Sequence, residues 1–96
     1  MQSSDQLESK LRELKPLLAR RFHVTKIGYF GSHALGTASP DSDVDLLVEF
    51  SSPIGWEFFT LETYLESVLH QRVDLVTPSA LKDRVRSTIL AQTKFI

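Results

Sequence analysis

Asp43-Val44-Asp45 is the segment of this chain best suited to chemistry. It opens residues 43–50, whose valines, leucines and phenylalanine read as a β-strand. Side chains alternate along a strand, so Asp43 and Asp45 share a face with Leu47, while Val44, Leu46, Val48 and Phe50 point into a core. Two residues along a strand cover roughly 6–7 Å. Carboxylates at that spacing can clasp hard cations between and beside them. Magnesium takes oxygen ligands and keeps room for waters and substrate phosphates. Two such ions about 4 Å apart stabilise the attacking and leaving oxygens of a phosphoryl transfer. A further acid, Asp74, stands between Val73 and Leu75. If those two join the core, Asp74 falls on the same face as the pair. Close like charges are costly unless a cation compensates them. The bland alternative is that all three are solvent-facing acids on amphipathic strands. Aspartate is a poor strand former, which weighs against that for the pair; for Asp74 alone the bland reading is the better one.

Gly31-Ser32 ends a preceding strand abruptly. Glycine allows a ligand to approach the backbone closely, and the Ser32 hydroxyl with the N–H groups that follow could hold a phosphate. Taken alone, a Gly-Ser pair is more simply a strand-to-helix turn capped by serine. Its place shortly before the aspartate pair, between two strands, is what raises it to a candidate nucleotide contact.

The elements that must position these residues follow from hydrophobic period. Leu7, Leu11, Leu14 and Leu18 recur at helical spacing, with Ser3 or Ser4 as the cap and a kink or break expected where Pro16 disfavours helix at Lys15. Residues 24–30 read as a strand, 33–36 as a helical turn, 37–42 as a loop and 43–50 as the second strand. Residues 55–70 read as a helix whose apolar face includes Trp56, Phe59, Leu61, Leu65, Val68 and Leu69. Residues 71–77 are the third strand. Pro78 opens a last helix carrying Leu81, Val85, Ile89 and Leu90. The order α-β-(turn)-β-α-β-α predicts an α/β (α+β) fold, a small mixed sheet with helices packed on it.

The chain has 96 residues, which predicts one domain over residues 1–96. It has little room for both a catalytic core and a separate recognition domain, so a macromolecular partner could be required to complete a site. A hydrophobic content of 42% with 24% charged residues argues against disorder. The net charge of −1 disfavours broad capture of nucleic acid. Without cysteine there is neither a disulfide nor a thiolate zinc site, which fits a cytoplasmic protein. No apolar run is long enough to span a membrane, and the polar start is not a signal peptide.

Gly31-Ser32-His33-Ala34-Leu35-Gly36, followed by Ser42-Asp43-Val44-Asp45-Leu46, resembles the signature of the polymerase-beta nucleotidyltransferase superfamily. The small size, and Arg72-Val73-Asp74-Leu75-Val76-Thr77 leading into Ala80-Leu81, resemble its minimal (MNT) branch. The resemblance covers nearly the whole chain from Leu11 onward. It implies the nucleotidyltransferase fold, contacts from Gly31 and Ser32 to a triphosphate, two magnesium ions on Asp43 and Asp45, and Asp74 as the third carboxylate. It implies ATP as substrate and a partner, since minimal members often pair with an all-helical HEPN protein as toxin and antitoxin, and some transfer AMP to a tyrosine of that toxin. Leu35 departs from the family, which often has arginine there.

Other polar and aromatic residues receive plainer readings. His23, His33 and His70 are too dispersed to form a metal set, and His33 is read as exposed. Glu57, Glu62 and Glu66 form a solvent face, Trp56, Phe58 and Phe59 belong to the core, Asp41 holds its own turn, and Arg84 and Arg86 are surface charges. Two other functions remain in view: nucleotidyl transfer to a small molecule such as an aminoglycoside, for which the chain is short, and a binding antitoxin that silences its partner by occlusion without catalysis. A homo-oligomer is compatible with either.

Overall fold

The computed structural model describes residues 4–96, so Ser3 lies outside the described residues. Helix α1 (Ser4–Phe22) buries Leu7, Leu11, Leu14, Leu18 and Phe22, the stripe that the leucine spacing predicts. The expected break at Pro16 is absent, and the helix runs through it. Proline removes one backbone hydrogen bond and crowds the preceding turn, but buried Leu14 and Leu18 anchor the helix on both sides of that defect. Ser4 does not act as the expected cap; its Oγ donates to the His33 carbonyl at 2.7 Å.

Strands β1 (Val24–Phe30) and β2 (Val44–Phe50) pair antiparallel, with the short helix α2 (Ser32–Leu35) between them. Helix α3 (Glu57–Leu69) leads to β3 (Val73–Val76), which joins β2 in parallel. A 3-10 turn (Pro78–Ala80), helix α4 (Asp83–Gln92) and a short strand β4 (Lys94–Phe95) complete the chain, and the mixed sheet has the order β3-β2-β1-β4. The core between the sheet, α1 and α3 includes Leu11, Leu18, Ile27, Tyr29, Val44, Leu46, Val48, Leu61, Leu65 and Leu75. The other face of the sheet carries Phe30, Asp45, Leu47 and Asp74. Phe30 and Leu47 are buried there, outside the main core.

Several sequence expectations are corrected. The helix expected to start at Pro78 is split: Leu81 and Lys82 are extended, and α4 begins only at Asp83. Arg86 braces this break and is no free surface charge; its Nε donates to the Pro78 carbonyl at 2.9 Å and its Nη2 to the Leu81 carbonyl at 2.7 Å. Trp56 and Phe59 are not core: they are 85% and 58% exposed, and their rings meet at a 45° tilt, 5.8 Å between centroids. The core-facing stripe of α3 is already filled by Leu61, Leu65 and Leu69. Glu66 does not belong to a solvent face, because its carboxylate accepts the Val73 N–H at 3.0 Å. His23 and His70, which follow α1 and α3, adopt left-handed φ of 61° and 56° and terminate those helices where glycine is the usual choice.

Tyr29 is the main polar group reaching the core, and its hydroxyl donates to the Glu8 carboxylate of α1. Burial first, then the Glu8 hydrogen bond and charge, pushes the phenol from 10.0 up to about 12. A phenol whose folded pKa exceeds its unfolded value gives stability that is complete below the unfolded pKa and is lost as pH rises through the folded one. Tyr29→Phe is therefore expected to cost about 1 kcal/mol at neutral pH, and the wild-type advantage should shrink between pH 10 and about 12. Urea melts of both proteins across that range measure it.

Candidate active site

The parallel ladder of β2 with β3 places Val44 opposite Val73, Asp45 opposite Asp74 and Leu46 opposite Leu75. Val44, Leu46, Val73 and Leu75 are buried in the core, so alternation sends Asp45 and Asp74 to the opposite face, on strands about 5 Å apart. Asp43 stands immediately before β2, where the Val44 N–H donates to the Arg72 carbonyl at 2.8 Å and locks the start of the ladder. Asp43 and Asp74 are exposed and Asp45 is half-buried. Burial first, then the charges of Asp74 and Asp43, raises the Asp45 pKa above its ordinary 3.8. The acids are thus electrostatic neighbours.

Gly31 closes the same cluster from β1. Its backbone sits at φ 69°, ψ −146°, a region that side chains avoid. A Cβ at this position would lie 2.1 Å from Asp45 Oδ2. The glycine is required twice, by its conformation and by the carboxylate pressed against it. Ser32 then starts α2, whose first N–H groups have no helical carbonyl to pair with. Gly31 is itself the N-cap of α2 and, having no side chain, gives those N–H groups no side-chain cap. Loop 37–42 is closed by Ser42 N–H to the Ser39 carbonyl at 3.0 Å and by Ser39 N–H to Ser42 Oγ at 2.9 Å, work that the sequence assigned to Asp41.

His33 is 2% exposed rather than a surface residue, and its Nδ1 has no partner. Burial lowers its pKa. Gln92, at the end of α4, was not marked by the sequence at all. Its Oε1 accepts the Gly31 N–H at 2.8 Å. Leu35, 63% exposed, stands beside the turn. A wide concavity between α1, loop 37–42 and the end of α3, lined by Ser9, Lys10, Glu13, Pro40 and His70, contains none of these acids.

Among the described residues, no three Asp, Glu, His or Cys side chains stand arranged to hold an ion as they are. The donor chemistry nevertheless suits a hard divalent cation, because carboxylate oxygens are its preferred ligands and Asp43 and Asp74 both act on Asp45 by their charge.

A nucleotidyltransferase domain matches residues 11–96 of the chain. The protein adenylyltransferase MntA of Thermococcus cleftensis is 43% identical over 97 residues, covering 100% of this chain and 98% of that protein. A solved structure described as a minimal nucleotidyltransferase superposes with a TM-score of 0.83 at 32% identity, covering 96% of this chain and 94% of the other. A chain of a toxin–antitoxin crystal structure with AMP-PNP gives a TM-score of 0.68 at 25% identity, covering 96% of this chain and 70% of the other.

The geometry gives two expectations. Gly31→Ala should cost about 1–3 kcal/mol, and should cost less in an Asp45→Ala background, where the atom nearest the new methyl is gone; a double-mutant cycle by chemical denaturation measures this coupling. A carboxylate with a raised folded pKa lowers stability where it is charged, and that loss is relieved as pH falls through the folded pKa toward the ordinary 3.8. Metal-free Asp45→Asn should therefore melt above wild type at pH 7, with a gap that narrows on acidification; calorimetry of both proteins in EDTA checks it.

Proposed function

The chain belongs to the nucleotidyltransferase domain family, and on that premise we propose that it is a magnesium-dependent protein adenylyltransferase, moving AMP from ATP to a tyrosine hydroxyl of an all-helical HEPN toxin and so acting as its antitoxin in the cytoplasm. The observation that carries this reading is the register Asp45↔Asp74 with Gly31 packed against Asp45: acids and a glycine turn from three strands meet on one sheet face. The MntA relative supplies the protein adenylyltransferase class. The toxin–antitoxin structure with AMP-PNP supports an adenine nucleotide and a toxin partner.

In this reading Gly31 lets the triphosphate approach the backbone and Ser32 Oγ donates to a phosphate oxygen. Asp45 on β2 and Asp43 immediately before it would hold the nucleotide's magnesium, and Asp74, from the neighbouring strand, would complete a second metal position. The ions supply charge neutralisation on the phosphates and a lowered pKa for the acceptor hydroxyl. The tyrosine oxygen forms a bond to the α-phosphorus as the bond to pyrophosphate breaks, and the hydroxyl proton leaves to water or to the Asp74 carboxylate. In-line approach is required, so the acceptor must enter from the side opposite the leaving pyrophosphate.

Asp74→Asn is the informative variant. It should keep most nucleotide affinity and full partner binding, yet lose transfer by at least about 100-fold. Intact mass of the toxin after incubation with ATP and magnesium shows an AMP adduct or none. A variant that binds the toxin, leaves it unmodified and still protects cells would make occlusion the working mechanism and overturn the enzymatic reading.

A further inference from the structure

We infer that Gln92 is a positioning residue for the nucleotide: it clasps the Gly31 peptide and thereby holds the glycine-serine turn at a fixed distance from Asp45. This rests on the reading of Gly31–Ser32 as the phosphate turn. The clasp is the bond from Gly31 N–H to Gln92 Oε1, 2.8 Å long, between residues 61 apart in sequence. Because the peptide is a donor, the carboxamide must present its oxygen there. Gly31 is also the residue whose missing side chain leaves Asp45 Oδ2 its place. The hydrogen bond and the carboxylate contact therefore act on one residue, and a shift of the first changes the second.

The fold delivers Gln92 to this point by design of its last strand. β4 pairs with β1 through Phe95 opposite Gly28 and Lys94 opposite Tyr29, and continuing that antiparallel register brings Gln92 opposite Gly31. Gly28 makes the pairing possible: a Cβ there would lie 2.7 Å from Thr93 Cγ2 and 2.8 Å from the Lys94 carbonyl oxygen. Thr93 is buried and its Oγ1 donates to the Ile89 carbonyl at 2.6 Å, fixing the exit from α4. The Ile96 N–H to the Ile27 carbonyl, 2.9 Å, ties down the far end. The chemistry of the clasp also fits the site. A glutamate would accept the same bond but add a charge to a turn packed against Asp45 Oδ2; a carboxamide accepts without charge.

Gln92→Met keeps length and volume and removes the acceptor. Amide exchange at Gly31, followed by NMR, should quicken by about five- to tenfold relative to neighbouring β1 amides, and the KM for ATP in partner modification should rise by a similar factor with kcat and the KM for the toxin little changed. Gly28→Ala, remote from the acids, should raise the KM for ATP in the same direction by displacing β4. Gln92→Met with an unchanged KM for ATP, or with Gly31 exchanging as in wild type, overturns the inference. The two readings fail separately. Wild-type protein that binds no ATP overturns the adenylyltransferase reading and the nucleotide role of Gln92 with it, while Gly31 exchange still reports the clasp. Wild-type transfer that Gln92→Met leaves intact overturns only the inference.

Discussion

The parallel register of β2 with β3 is the constraint on which the site depends. It sets Asp45 beside Asp74 and, through Val44, Leu46, Val73 and Leu75, ties the position of both acids to burial of four apolar side chains. A slip by one residue would turn Asp74 into the core and a hydrophobic residue onto the acidic face, so hydrophobic burial enforces the carboxylate geometry. Removing four apolar side chains from water outweighs the mutual repulsion of surface acids, which solvent and salt screen. The fold can therefore hold like charges together before a cation arrives.

Crowding at Gly31 is the second half of the arrangement. An acid that must meet a phosphate-bound ion has to stand close to the turn that meets the phosphates. In this fold the proximity reaches the limit at which no side chain fits between them. The turn is held from both directions, by α2 carbonyl bonds on one side, where the Ala34 and Leu35 N–H groups reach the Gly31 carbonyl at 3.1 and 3.0 Å, and by Gln92 on the other. A short segment with only one helical turn of its own gains rigidity from its neighbours.

The exposed Trp56–Phe59 pair is the largest aromatic departure from burial. It sits at the start of α3, away from the acids in sequence. Sequence period assigned both rings to the core because the apolar face of α3 is broad. The leucines alone fill that interface, and the rings are surplus to it.

What the sequence by itself determined was carried by local period and residue type, though period alone misplaced Trp56 and Phe59. The leucine stripe of α1, three strands in their order, the nearness of Asp43 to Asp45, and a glycine suited to close approach at the end of β1 were legible, because alternation and helical spacing act between near neighbours. Asp74 was conditional in sequence, and became part of the cluster only when the sheet supplied its register. Pro16 within a helix, the break before Asp83, buried His33 and the last strand were decided by tertiary structure: packing on Leu14 and Leu18 overrode proline, Arg86 stabilised an interruption that period could not show, and α2 had one side to bury. Gly28, isolated in a strand of larger residues, was the one local sign of a close backbone approach. Gln92 had none, since a carboxamide acquires meaning only when a strand pairing brings it to a particular N–H, and that pairing spans sixty-one residues of chain.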